Sequence, residues 1–330
     1  MWKPFKIEQL QSKHMSGVQC FDIFLGAAGS DPRCCAVPEK YNISTQSLLL
    51  IYFKNRGKAK DHHKKRWMET AKFQNVSIIE ASSTEFSDAF EVIRDSIIQI
   101  YNQIGAYRVR VGLDITSIPK AYVAYVVGLL FKIGIAHEVI AFYAISDYRP
   151  ELQNSARGQR YGRTDGEWEA VTIPYLEGNY EPSSSRLVVA SVGFEGGRGR
   201  NFIAQFEPDK LITIFADPGF HPSYTKKVIE ENNALLSIFD VTEPHILKVG
   251  AGDAPALCDI VDEKVSSQLS MDICYVCLGP KPHCLGLIVS ALNYEAPRVV
   301  CRIPERFDEK ETRSSGRYQI YRLIDLAAPI

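Results

Sequence analysis

Short apolar runs alternate with amphipathic stretches along most of the chain. Residues 20–25 (CFDIFL) form a short apolar run ending at a glycine, and 47–53 (SLLLIYF) a second with no polar alternation, as expected of a strand buried on both faces. Residues 76–81 form a third such run. Between 84 and 105, Phe86, Phe90, Ile93, Ile97, Ile100 and Ile104 recur at spacings of three and four. That stripe predicts a helix capped at its start by Ser83 or Thr84 and stopped by Gly105. A strand at 109–113, a helix at 119–131 and a strand at 138–144 follow. Strands alternating with helices imply a parallel sheet covered on both faces.

The pattern lapses between 146 and 186, where Gly, Ser, Pro and Arg are frequent and periodicity is weak, so the stretch reads as a linker or insertion. It then resumes with strands at 187–192 and 211–215, a helix at 224–239, a strand at 245–249, a helix at 256–269 and a strand at 272–278. A helix at 283–292 and a strand at 298–303 complete the series. The order of the first half is repeated. GAAGSDPR, starting at Gly26, and GFEGGRGR, starting at Gly193, both follow an apolar strand, at an offset of 167 residues. LDITSIPKAYVAYVVGLL and VCLGPKPHCLGLIVSAL both lead from a strand through a turn with Pro and Lys into an apolar helix. The second strands, LIYF and TIFA, keep nearly the same offset, and three matches in the same order point to internal duplication. The fold class expected is therefore α/β, with two tandem Rossmann-like parallel-sheet units from an internal duplication. Their bounds are 1–146 and 186–330, with 147–185 as the Arg/Gly/Ser-rich linker.

Composition narrows the class. At 330 residues the chain exceeds the size at which one core usually stops growing. With 45% hydrophobic residues it can bury two, and its net charge of −1 means that any anionic partner must be drawn by a local patch. The longest apolar stretches, of about 15 residues, fall short of a bilayer span. The first twenty residues contain no continuous apolar signal segment, so a cytoplasmic location without membrane contact is expected. The eight cysteines lie mostly in apolar runs and read as reduced small hydrophobes. Cys274 and Cys277 have CxxC spacing with His283 and Cys284 downstream. However, DICYVC reads as a strand, on which residues three apart face opposite ways, and no metal is expected.

In a parallel sheet the turns after the strand ends lie along one edge, where backbone amides and helix N-termini meet ligands. Glycines there allow close approach, and Arg33, Lys120, Arg198, Arg200 and Lys281 supply charge complementary to phosphate. The turns lack both the GxxxxGK[ST] loop and the GxGxxG fingerprint, so neither that class of ATP hydrolysis nor a dinucleotide cofactor is expected, and no cofactor is assigned. A first strand ending in a small-residue turn, and a later strand ending in a Lys-bearing turn before an apolar helix, resembles the CRISPR-associated Rossmann fold. Two such units in one chain resemble the SAVED sensors of bacterial antiphage defence. The resemblance implies a cyclic oligonucleotide bound across two units. Its motif positions fall on Gly26, Ser30, Arg33, Asp114, Thr116, Ser117 and Lys120 in the first unit. In the second they fall on Gly193, Glu195, Arg198, Arg200, Gly279, Lys281 and His283. LGPKPHCLGL only approximates the family's GGTK-like turn, and DITSIPK replaces its glycines.

Two other sites stand out. DPGFHPSY sets Asp217 and His221 near a helix start, where a carboxylate and an imidazole suit acid/base work on a phosphodiester, or serve merely as turn chemistry. Glu195 is a further carboxylate at that edge, with Asp114 expected as its counterpart in the first unit. Lys58, Lys60, Lys64, Lys65 and Arg66 form one basic stretch, and Arg157, Arg160 and Arg163, interleaved with aromatics, form another. Both are nucleic-acid contact candidates, or a solvated helix start and a linker. The leading expectation is a sensor that binds an anionic nucleotide or cyclic oligonucleotide between its units and signals to a separate effector protein. A phosphodiesterase or nucleotide hydrolase, and a nucleic-acid-binding component of a defence complex, are the alternatives.

Overall fold

The computed structural model describes residues 3–29, 31–53, 60–82, 85–147, 164–179, 184–307 and 314–327. The first part of the chain forms β1 (Phe5–Leu10), β2 (Gln19–Ala28), α1 (Ala36–Lys40), β3 (Ile43–Phe53), α2 (Lys60–Thr70), β4 (Lys72–Ala81), α3 (Phe86–Ile104), β5 (Val109–Asp114), α4 (Lys120–Lys132) and β6 (Ala136–Ser146). The second part forms β7 (Thr164–Thr172), β8 (Arg186–Ser191), α5 (Gly196–Ala204), β9 (Lys210–Ala216), α6 (Pro222–Ile238), β10 (Ile246–Val249), α7 (Ala254–Val265), β11 (Asp272–Cys277), α8 (Lys281–Asn293) and β12 (Arg298–Phe307). A last strand, β13 (Ser314–Asp325), ends the series.

The stripe on α3 buries Phe86, Phe90, Ile93, Ile97 and Ile100, and Gly105 closes the helix in the left-handed region at φ 67°. Glu85 is its N-cap, with its N–H donated to Ser82 Oγ at 3.1 Å; the expected caps Ser83 and Thr84 lie outside the described residues. Helices α4 and α8 are apolar all round and buried along almost their whole length, as central packing elements are.

Two mixed sheets result. The first has the order β1-β13-β6-β5-β2-β3-β4, and the second, written from its other edge, β7-β12-β11-β8-β9-β10. Their five parallel strands correspond one to one: β6-β5-β2-β3-β4 matches β12-β11-β8-β9-β10, with helices between the same pairs. Each parallel set is flanked by one antiparallel strand, β13 beside β6 and β7 beside β12. These are two Rossmann-like units of one topology. The first core gathers Phe24, Leu48, Leu50, Trp67 and Phe142, and the second Val188, Phe202, Phe215, Leu235 and Val276.

The unit boundaries differ from those expected. Residues Met1–Tyr148 and Asp308–Ile330 form one compact unit and Arg149–Phe307 the other. The supposed linker contains β7, which completes the second sheet. The last stretch of the supposed second unit is β13, an interior strand of the first sheet. Each flanking strand therefore follows, in sequence, the last parallel strand of the opposite unit. Composition hid β7, because its sequence TDGEWEAVT alternates polar and apolar residues among charges and a glycine.

Candidate functional site

Strand register places the two edges in a common frame. Leu25 pairs with Leu49 and Leu113, as Val189 pairs with Ile212 and Tyr275. The Ser117 hydroxyl donates to the Ala27 carbonyl at 3.2 Å, as the Gly279 N–H donates to the Ser191 carbonyl at 2.7 Å. This frame matches Gly29, not Gly26, to Gly193. Gly26 lies inside β2, where an added Cβ would stand 2.5 Å from the Trp67 ring of α2, so it is a packing glycine rather than a turn residue. The motif match at 167 residues is therefore three residues out of structural register.

The corrected frame pairs Asp31 with Glu195, in place of Asp114, and here the two units share chemistry. Asp31 caps the turn after β2, accepting the Arg33 N–H at 3.0 Å, and its carboxylate bonds the Arg33 guanidinium at 2.7 Å. Arg33 Nη1 also donates to the Ala144 carbonyl at the end of β6, at 2.9 Å. Burial opposes that charge, but the Asp31 carboxylate and Tyr143 beside it hold the guanidinium pKa above its ordinary value. In the second unit Glu195, the residue before α5, meets Arg302 Nη2 at 2.6 Å. Arg302 stands on β12 at the position of Ala144, since Ala141 opposes Leu113 as Val299 opposes Tyr275. Its guanidinium stacks 4.0 Å above the Trp168 ring of β7. Burial here outweighs Glu195 and presses the Arg302 pKa down. Each unit thus braces its first turn with a mostly buried acid–arginine pair, the arginine coming from the turn itself in the first unit and from β12 in the second.

The second turns are equally closed. Asp114 Oδ1 accepts the Thr116 N–H at 2.9 Å, and Thr116 Oγ1 accepts the Ala144 N–H at 3.0 Å. Gly279 must be glycine: a Cβ there would fall 2.0 Å from Ser191 Oγ, and one on Gly193 would lie 3.0 Å from the Leu278 carbonyl. Lys120 and Lys281 are the first residues of α4 and α8, each preceded by proline, and both are half-buried. His283 is enclosed: Nε2 donates to the Gly250 carbonyl at 3.1 Å, which leaves Nδ1 to accept from the Ser191 hydroxyl at 2.9 Å. Sequence reading missed Ser191. With both side chains fully buried, the pair ties β8 to α8 and the turn after β10 rather than serving as an open nucleophile and base.

Arg198 lies on α5 with its guanidinium 5.9 Å from the Trp168 ring centroid, and Arg200 bonds Asn201 Oδ1 at 3.1–3.2 Å. Asp217 faces Lys248 at 3.5 Å. His221 is the N-cap of α6, its Nδ1 accepting from Ser223 N at 3.3 Å. Lys64 sits over the Tyr52 ring, Lys65 pairs with Glu69 at 3.8 Å and Arg66 with Glu39. Lys60 begins α2, its side chain outside the described residues, as are Ser30, Lys58, Arg157, Arg160 and Arg163.

One close-set group of potential metal ligands occurs among the described residues. The thiols of Cys277, Cys284 and Cys301 lie within 4.8 Å of one another and are buried. Hydrogen bonds to the other two thiols, with burial, push the Cys277 pKa well up, which keeps it a thiol in the absence of a cation. Cys274 faces the opposite side of β11, in the main core, as strand geometry requires. Among the described residues no helix is long and apolar enough to cross a membrane.

No family model and no curated protein matches the chain. Among solved structures it is similar to a functionally unknown protein from Pseudomonas aeruginosa PAO1, at 9% identity over 86% of this chain and 93% of that one, with a TM-score of 0.23. It is also similar to UDP-GlcNAc 2-epimerase from Neisseria meningitidis, at 8% identity over 77% of each chain, with a TM-score of 0.24. At these scores the likenesses carry no argument about function. What the strands and turns define is an α/β protein of two topologically matched Rossmann-like units.

Proposed function

We propose that the protein is a sensor, binding an anionic nucleotide or cyclic oligonucleotide at the strand-end edges of its units and passing the signal to a separate effector protein. The observation that carries this reading is the duplicated edge. In each unit a first turn braced by a mostly buried acid–arginine pair stands beside a second turn that ends in Pro-Lys at a helix start, Pro119-Lys120 and Pro280-Lys281. Backbone amides at a helix start, with a lysine at its first position, suit a phosphate. The state of the acids favours binding over hydrolysis. Asp31, Glu195 and Asp217 each face a cation, and His221 uses Nδ1 as a helix cap. The antiphage setting rests on the family resemblance.

Equilibrium binding to a panel of cyclic and linear oligonucleotides provides the test. Tight binding to one member is expected, weakened about tenfold or more by Lys120→Ala or Lys281→Ala, with the ligand recovered intact after long incubation. No binding to any member, or equal binding by both variants, refutes the proposal. Turnover lost in His221→Ala would establish a hydrolase instead.

A further inference from the structure

Strand β4 is the outermost strand of the first sheet among the described residues. It runs for ten residues, KFQNVSIIEA, without proline and without a register shift against β3. Edge strands are usually shortened, bulged or interrupted by proline, and this one is none of these; its charges, Lys72 and Glu80, stand only near its two ends. Its even-numbered side chains Lys72, Gln74, Val76, Ile78 and Glu80 are all exposed, with Val76 and Ile78 at 38% and 37%. The other face turns inward at Ile79 and Ala81, which are buried.

We infer that β4 is a dimer edge, pairing antiparallel with β4 of a second copy so that two first-unit sheets continue into one. The sequence is self-complementary in one register. With the two-fold axis through Val76, Val76 meets Val76 of the partner subunit, Gln74 meets Ile78 of the partner subunit, and Lys72 meets Glu80 of the partner subunit. An apolar centre is then flanked by two opposite-charge pairs, the arrangement that stabilises directly opposed residues. Centring on Asn75 sets Lys72 against Ile78 of the partner subunit, and centring on Ser77 sets Gln74 against Glu80 of the partner subunit, so both lose the charge match. An axis between residues opposes exposed positions to the inward-facing Ile79 and Ala81, the cost of a one-residue slip. This inference does not depend on the nucleotide reading, because assembly is measured without ligand.

Sedimentation equilibrium of the full chain, up to about 200 µM, tests it, with circular dichroism confirming that each variant is folded. A dimer is expected. Lys72→Glu alone or Glu80→Lys alone places like charges opposite each other twice, weakening the dimer about tenfold, and the double variant restores it. Val76→Lys abolishes it. A wild-type monomer, which would leave the edge to an unrelated strand, overturns the inference. So does a dimer indifferent to the single charge reversals.

Discussion

Gly196 and Gly197 are neighbours in α5 with opposite surroundings. A Cβ on Gly196 would fall 1.7 Å from the backbone carbonyl oxygen of Glu231 in α6, whereas one on Gly197 meets nothing within 4 Å. Gly196→Ala is therefore expected to destabilise the second unit by about 2–4 kcal/mol, because backbone rather than a flexible side chain must yield. Gly197→Ala should be neutral or stabilising by up to about 1 kcal/mol, since alanine is the better helix former. Urea denaturation of the two variants measures both, and equal effects would refute the close approach of the two helices. GFEGGRGR announces flexibility at every glycine alike. It cannot tell which one touches α6, because that contact comes from a helix more than twenty residues away. The same limit applies to His283 and Arg33, whose residue types suit phosphate. Their partners, Ser191 and Gly250 for one and Asp31 and Ala144 for the other, turn them inward.

Among the elements, β6 carries a charge relay that ties four strands. Glu138 accepts from Arg110 Nε of β5 and from Arg322 Nε of β13, and Arg322 lies 3.7 Å from Glu8 of β1. Burial pushes the Glu138 pKa up, but the two guanidiniums outweigh it and hold it below the ordinary 4.5. A carboxylate with a depressed folded pKa contributes stability that is present above 4.5 and lost as pH falls through the folded value. Glu138→Gln should thus destabilise the first unit by about 1–2 kcal/mol at neutral pH, because the half-exposed Arg110 loses its ion-pair partner while Arg322 keeps only Glu8. The gap to wild type should narrow in urea titrations at pH 3, and a gap independent of pH would refute the linkage. The strands themselves are plain in the sequence, since β3, β5, β9 and β11 are apolar enough to declare double-sided burial. The edge turns are half legible. Pro-Lys at the start of α4 and α8 can be matched by eye, but Asp31 and Glu195 match only once strand register slides the alignment by three residues.

For the whole molecule, the flanking strands decide which pieces of chain can stand alone. β13 lies between β1 and β6, so the first sheet needs residues from both ends of the chain, whereas the second is contained in Arg149–Phe307. A fragment of residues 149–307 is expected to melt cooperatively by circular dichroism. One of 186–330, which lacks β7 and carries an orphaned β13, should aggregate or stay unfolded; cooperative melting of the second fragment would refute the assigned pairing. The sequence by itself determined the α/β class, the parallel strands of each unit with the longer helices between them, and the duplication, because burial periodicity is a local property that a linear reading captures. Only the tertiary structure decided that β7 and β13 complete each other's preceding units, that Gly26 serves a tryptophan, and that the acids and arginines of the edges neutralise one another. Those outcomes depend on which distant segments pack together, and hydrogen-bond register across a sheet, unlike periodicity along a strand, exists only between segments.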